Sequence, residues 1–170
     1  MVTGIDGEAF TGSARLLGEA RRVRGHGMRQ FASLASFLAY GLGMLRSDAT
    51  PLDAIRHGVA DALAQLDEGD VLVVASCFPY TPSVLATAEV AARPGIRVIA
   101  LTDSSGSPLA KVAEYHFAVP NHSPFFSNSM CAFMLLAEGL LSEAANLLGD
   151  VGMTALKRRE QLIGELHESL

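Results

Sequence analysis

The chain has 170 residues, 49% of them hydrophobic and 18% charged, with a formal net charge of −5. A chain of that length buries roughly 70% of the surface it exposes when unfolded, so a single domain with a full core needs no covalent staples. The composition excludes a disordered chain, the charge excludes a broadly basic nucleic-acid footprint, and two cysteines, Cys77 and Cys131, with no C-x-x-C exclude a cysteine-built metal cage or a disulfide framework.

The start, MVTGIDGEAF, lacks the basic region and apolar run of a signal peptide. The longest stretch without charge, Tyr115–Ala137, is interrupted by Pro120, Asn121, Ser123, Pro124 and Asn128. No membrane span is expected there, and the reading is a cytoplasmic protein of a reducing compartment. Residues 8–20 place Phe10, Ala14, Leu16, Leu17 and Ala20 at helical spacing, a short amphipathic helix. Arg15, Arg21, Arg22, Arg24 and Arg29 form the basic cluster of this region and read as a solvated helix face and strand edge.

From residue 21 onward, short apolar runs alternate with helical patterns. Arg22–His26 is a weak strand. Residues 31–45 are a strong helix through Phe31, Leu34, Ala35, Leu38, Leu42 and Leu45, with Phe37, Tyr40 and Met44 making the other side apolar as well. Such a helix is covered on both sides, by core or by a partner subunit. Ala49–Leu52 reads as a short strand and Ala54–Leu66 as a helix ended by Asp67-Glu68-Gly69-Asp70. Val71–Ala75 is an uninterrupted apolar run, the mark of a central parallel strand. Pro82–Ala92 is helical, Ile96–Leu101 is a second buried strand, Pro108–Glu114 a short helix and His116–Val119 a last strand. Ser127–Leu148 and Val151–Glu168 read as helices separated by Gly149-Asp150.

This alternation implies βαβ crossovers. The expected fold is α/β, a three-layer, flavodoxin-like doubly wound sheet of five parallel strands. Ligands of such sheets bind beyond the carboxyl ends of the strands, here just after His26, Ala75 and Leu101.

Three loops lie at those ends. After Ala75, Thr81-Pro82 has the grammar of a helix start, a hydroxyl N-cap followed by proline. The free N–H groups of that helix attract a phosphate or carboxylate, and Ser76, Thr81 and Ser83 add hydroxyls; simple capping by Thr81 is the competing reading. After Leu101, Ser107-Pro108 repeats the pattern, with Asp103 placed either to accept a sugar hydroxyl or to cap the turn. In the first loop, Gly25-His26-Gly27 tempts one toward a dinucleotide fingerprint, but Gln30 stands where its third glycine belongs, so nicotinamide binding is rejected. Gly27 is read as permitting close backbone approach to an anion, with Arg29 nearby as charge partner.

The run Ser76-Cys-Phe-Pro-Tyr-Thr-Pro-Ser-Val, then Thr87-Ala-Glu, Ile99-Ala-Leu-Thr-Asp-Ser and Ser107-Pro-Leu-Ala, resembles the sugar isomerase (SIS) domain, and more closely its version in RpiR-type transcriptional regulators. Tyr80-Thr81 matches the Tyr-Ser element of that subgroup. Gly27-Met-Arg with Ala35-Ser-Phe-Leu-Ala-Tyr matches its first loop and helix, and Ser123-Pro-Phe-Phe-Ser-Asn-Ser129 the segment before its last helices. The resemblance spans about residues 15–168.

It implies a phosphosugar-binding domain over residues 21–170, led in by a helix within 1–20. It further implies a homodimer, with a tetramer as the larger alternative, no cofactor and no metal. In that family DNA is contacted only through a helix-turn-helix domain, which this chain does not include. Ligand contacts fall to Gly27, Arg29 and Gln30 on one wall, to Ser76, Tyr80, Thr81 and Ser83 around the anion, and to Asp103 and Ser104 on hydroxyls. This chain departs from the family at Gln30 and Phe31, where small hydroxyl residues are usual, at Val84, usually threonine, and in its first strand, Val23-Arg24-Gly25-His26.

An isomerase would need a base for proton transfer. Glu138, in the apolar run MLLAEGLL, is one candidate, with a surface or dimer-seam carboxylate as its plainer reading, and His122 the other, with an exposed loop histidine as its plainer reading; His26, at a strand end, reads either as a contact to a ligand phosphate or as an ordinary sheet-end histidine. Cys77 lies where a helix N-terminus lowers a thiol pKa, with a small buried side chain as the default. A dimerisation scaffold with a degenerate pocket is the third reading.

Overall fold

A computed structural model describes residues 5–52 and 58–167. The elements run α1 (Gly7–Glu19), β1 (Val23–Gly27), α2 (Phe31–Leu45), β2 (Ala49–Pro51), α3 (Gly58–Leu63), β3 (Val71–Ala75), α4 (Pro82–Ala92), β4 (Arg97–Thr102), α5 (Pro108–Val112), β5 (Tyr115–Ala118), α6 (Cys131–Leu148) and α7 (Asp150–Leu166). The sheet order is β2-β1-β3-β4-β5, with every pair parallel. This is the flavodoxin-like doubly wound arrangement, as expected from the sequence. The first residues of the helix expected over 54–66 lie outside the described residues.

Strand alternation sorts the apolar side chains onto two faces. Val71, Val73, Ile99 and Leu101 join a core with α1, α2 and α6, while Leu72, Val74, Val98 and Ala100 join a second core with α3, α4 and α5. β3 is buried at every position, which is why its sequence is continuously apolar. Each fully buried leucine or valine adds about 1.5–3 kcal/mol.

The weak sequence of β1 has a steric cause. A Cβ on Gly25 would stand 2.8 Å from the Ala35 carbonyl oxygen, and one on Gly27 2.5 Å from that of Phe31. α2 lies so close to β1 that apolar side chains on that face are excluded. Gly27 therefore serves the approach of α2.

α1 packs along α6 and buries Ala14 and Leu17 in the first core. Its start is capped by Asp6, which accepts from Glu8 N–H at 2.9 Å and Ala9 N–H at 3.4 Å. At its other end Arg46 donates to the carbonyls of Leu17, Gly18 and Arg21, satisfying groups a helix end leaves free. α6 is long and apolar enough to cross a membrane by length and composition, with mean hydropathy 1.4. Phe133, Leu136, Ala137, Leu140 and Ala144 instead bury one face of it in the core. Of α7's residues, Gly152 alone is buried.

The early arginines turn out to be largely paired. Arg21 bonds Asp67 and Asp70, Arg22 bonds Asp48 and Asp67, and Arg24 bonds Asp48 at 2.7 Å. Asp70, buried at the start of β3, accepts from Asp67 N–H at 2.9 Å and Arg22 N–H at 3.2 Å. Burial pulls its pKa upward, but the Asp67 N–H and the Arg21 guanidinium more than reverse this and hold it below the ordinary carboxylate value. The amino end of the sheet is thus closed by its own ion pairs, and no free basic patch results.

Candidate functional site

The register ends Gly27, Ala75 and Leu101 side by side, so the loops that follow them form one rim. Between the first two lies a cleft of about 190 Å³. Arg29, Gln30 and the edge of Phe31 form one wall, Ser76, Cys77, Pro79 and Thr81 the other, and Ser127 with Asn128 close the end. The structure brings together Arg29, Gln30, Ser76 and Thr81 of the residues expected at the site. Among the described residues that line it, none is a carboxylate or a histidine.

The two proline-started helices differ in a way the sequence does not reveal. Ser107 accepts from Ala110 N–H at 3.1 Å and is fully occupied as a cap of α5. Thr81, at the same position before α4, makes no side-chain cap bond. Its own N–H is instead donated to Ser76 Oγ at 3.1 Å. The Thr81 hydroxyl and the Ser76 hydroxyl proton are therefore left to face the cleft, at the positive end of an eleven-residue helix. Arg29 sits on the opposite wall in the left-handed region, with φ 56°.

Other expected contacts have different duties. Asp103 accepts from Phe78 N–H at 3.2 Å and Tyr80 Oη at 3.0 Å, tying the β3–α4 loop to the β4–α5 loop. Burial and that Asp103 contact push the Tyr80 hydroxyl's pKa up. Tyr80 and Asp103 hold the rim in shape without lining the cleft. Ser83 is exposed, and its carbonyl accepts from Thr87 Oγ1. Ser104 is also exposed and accepts from Gly106 N–H at 3.1 Å, closing its own turn. Glu138 is exposed on α6, whose buried face carries Leu136, Ala137 and Leu140, and it does not line the cleft.

Two departures from the expected pattern prove sterically mild. The Phe31 ring is turned into the core, edge-on to Phe133 at 5.2 Å and 5% exposed. Val84 is fully buried in the second core, away from the cleft. The Cys77 thiol is buried, and burial, with Asp103 nearby, pushes its pKa up to about 12, against the lowering expected from the helix end. It is a packed, protonated side chain.

Sequence reasoning missed Ser127 and Asn128 by placing them inside the helix expected over Ser127–Leu148. Ser129 accepts from Cys131 N–H at 3.4 Å and α6 begins only at Cys131. Asn128-Ser129 is itself a helix-start signal, and reading it so would have left Ser127 and Asn128 in the loop. A second cleft of about 390 Å³ lies on the far side of these two residues, lined also by Phe78, Asn121, His122, Phe125 and Phe126. Another of about 400 Å³, beside β5, carries Asp6, Glu8 and Glu114 and is electrostatically unsuited to an anion.

The family model of the SIS domain matches residues 16–142. The chain belongs to the SIS domain family. No curated protein matches it in sequence. Among solved structures it is similar to the sugar isomerase domain of an RpiR transcription factor from Sphaerobacter thermophilus. The identity is 27%, with 92% of this chain and 87% of that one covered and a TM-score of 0.85. It is also similar to the Vibrio vulnificus NanR protein complexed with ManNAc-6P, at 18% identity and TM-score 0.81, covering 95% of this SIS chain and 62% of NanR. A Methanococcus jannaschii protein inferred to be a 3-hexulose-6-phosphate isomerase shares the fold at 14% identity and TM-score 0.72, with 89% and 84% covered. The feature shared at the lower of these identities is the fold.

Proposed function

We propose that this SIS domain is the sugar-phosphate-sensing part of an RpiR-type regulator, cytoplasmic and homodimeric, and that it takes the phosphate in the cleft at the ends of β1 and β3. The observation that carries this is the uncommitted donor set: the Thr81 and Ser76 hydroxyls at the start of α4, in a cleft that Arg29 also lines. A helix N-terminus with hydroxyls and a guanidinium opposite is chemically matched to a phosphate. The likeness to the RpiR sugar isomerase domain and to NanR, which is complexed with ManNAc-6P, supports the same ligand class.

Sensing is favoured over isomerisation by the lining. Moving a proton between adjacent carbons needs a base within reach, and the described cleft residues offer hydroxyls, amides, a guanidinium and a thiol whose pKa burial pushes up to about 12, with no carboxylate or imidazole. The exposed leucines of α6 and α7, among them Leu135, Leu162 and Leu166, supply an apolar flank for pairing with a second copy, through which binding would reach a linked helix-turn-helix domain.

A thermal-shift and calorimetric panel of sugar phosphates tests the reading. A ligand present at about a hundred times its Kd adds about 2.7 kcal/mol, which raises Tm by about 5–10 °C in a domain of this size. Thr81→Val, which keeps the shape and removes the hydroxyl, weakens binding by about tenfold. No shift with any phosphorylated ligand refutes the reading and favours a dimerisation scaffold; unchanged affinity in Thr81→Val refutes the placement of the phosphate at Thr81.

A further inference from the structure

We propose that Gln30 is a size gate that limits this site to short phosphorylated ligands, a phosphate carried on three or four carbons rather than a hexose phosphate; this rests on the phosphate-binding reading of the cleft. The inner cleft and the outer one meet along Pro79, Ser127 and Asn128. That shared wall is held by side-chain hydrogen bonds. Gln30 Nε2 donates to the Asn128 carbonyl at 3.3 Å, and Ser127 Oγ donates to Gln30 Oε1 at 3.1 Å. Asn121 Nδ2 in turn donates to Asn128 Oδ1 at 3.0 Å, fixing the amide from behind.

Both ends of the Gln30 amide are thus engaged on one loop. The side chain spans from the start of α2 to the segment before α6 and braces, from the inner side, the Ser127–Asn128 wall that the two clefts share. With the brace in place the inner compartment is about 190 Å³, below the ~300 Å³ at which small-molecule pockets ordinarily begin. A phosphate seated at Ser76 and Thr81 leaves room for a short carbon chain before its far end meets Gln30 and Asn128. A hexose phosphate must displace the Gln30 amide, breaking two bonds and leaving the Asn128 carbonyl and Ser127 hydroxyl to find new partners. Two ordinary hydrogen bonds lost on entry weaken binding by about tenfold or more. The outer compartment, about 390 Å³ with Phe78 and Phe125 on its walls, is where the displaced portion of a longer sugar would lie.

The test is calorimetry of the intact chain with inorganic phosphate, glycerol 3-phosphate and glucose 6-phosphate, for wild type, Gln30→Ala and Ser127→Ala. Wild type should bind glycerol 3-phosphate about tenfold more tightly than glucose 6-phosphate. Gln30→Ala should close that gap by gaining affinity for glucose 6-phosphate, and Ser127→Ala should do the same in smaller measure. Equal wild-type affinity for the two ligands, or the wild-type preference retained in both variants, overturns the gate while leaving the phosphate site standing. No binding of any phosphate by any of the three proteins removes the site and the gate together.

Discussion

His26 offers a sharp test of how the sheet is built. It is 4% exposed in β1, beside Val74 of β3, and so faces the core formed with α3 and α4. Its Nε2 finds no hydrogen-bond partner among the described residues. Burial lowers its pKa below the ordinary value of about 6.5. The unfolded chain therefore takes up a proton near pH 6.5 that the folded chain refuses until lower pH. Stability is fully present above about pH 6.5 and declines as pH falls, by up to about 1.4 kcal/mol per pH unit, until the folded-state pKa is reached. His26→Leu, of similar volume, abolishes that proton uptake. At neutral pH its net effect is the relief of an unpaired polar atom, about 1–3 kcal/mol, set against imperfect packing of up to about 1.5 kcal/mol. The decisive quantity is the slope. Urea unfolding at about pH 7.5 and 5.5 should show the wild type losing stability across the interval and the variant holding nearly constant, in a range above that where Asp70 titrates. Parallel curves for the two proteins would refute the assignment of His26 as a buried neutral imidazole.

The two thiols should separate under iodoacetamide at about pH 8, where a thiolate is the reacting form. Cys131 is exposed and is alkylated in the native protein, whereas Cys77, buried with its pKa near 12, reacts only after denaturation; modification of both in the folded state, read by intact mass, contradicts this. Gly27→Ala places a methyl 2.5 Å from the Phe31 carbonyl oxygen, where backbone must yield. It should cost about 1–3 kcal/mol in urea unfolding and weaken phosphate binding through displacement of Arg29 and Gln30; a variant as stable as wild type would show that α2 does not bear on β1 as described.

The fold was legible because its signals are local and periodic. The continuous apolar run of β3, the helical spacing through α2 and the paired Thr81-Pro82 and Ser107-Pro108 starts all declare themselves within a few residues. What stayed hidden depends on residues far apart in sequence. Gly25 and Gly27 look like a degenerate strand until the backbone of α2 is seen against them. Asp103 looks like a ligand contact until Tyr80 is found to use it. Gln30 reads as a missing hydroxyl, whereas its partners lie 97 and 98 residues downstream in a stretch that helical periodicity claimed for α6.

The same contrast separates the two ends of the sheet. At the amino end, Asp48, Asp67 and Asp70 meet Arg21, Arg22 and Arg24, and the buried Asp70 also takes two backbone N–H groups. The charged groups named there are matched within the fold. At the carboxyl end, Asp103, Tyr80, Ser104 and Ser107 are likewise matched, each by a partner in the same loops. Thr81 departs from that rule: its position and its proline neighbour would permit the ordinary cap, yet its hydroxyl makes none. The turn is held instead by Ser76, which accepts the Thr81 N–H, and both residues line the cleft. A loop shaped only for helix capping would have converged on the Ser107 arrangement. The difference between these two helix starts, built from the same dipeptide grammar in neighbouring loops, is the physical reason to place the ligand at α4.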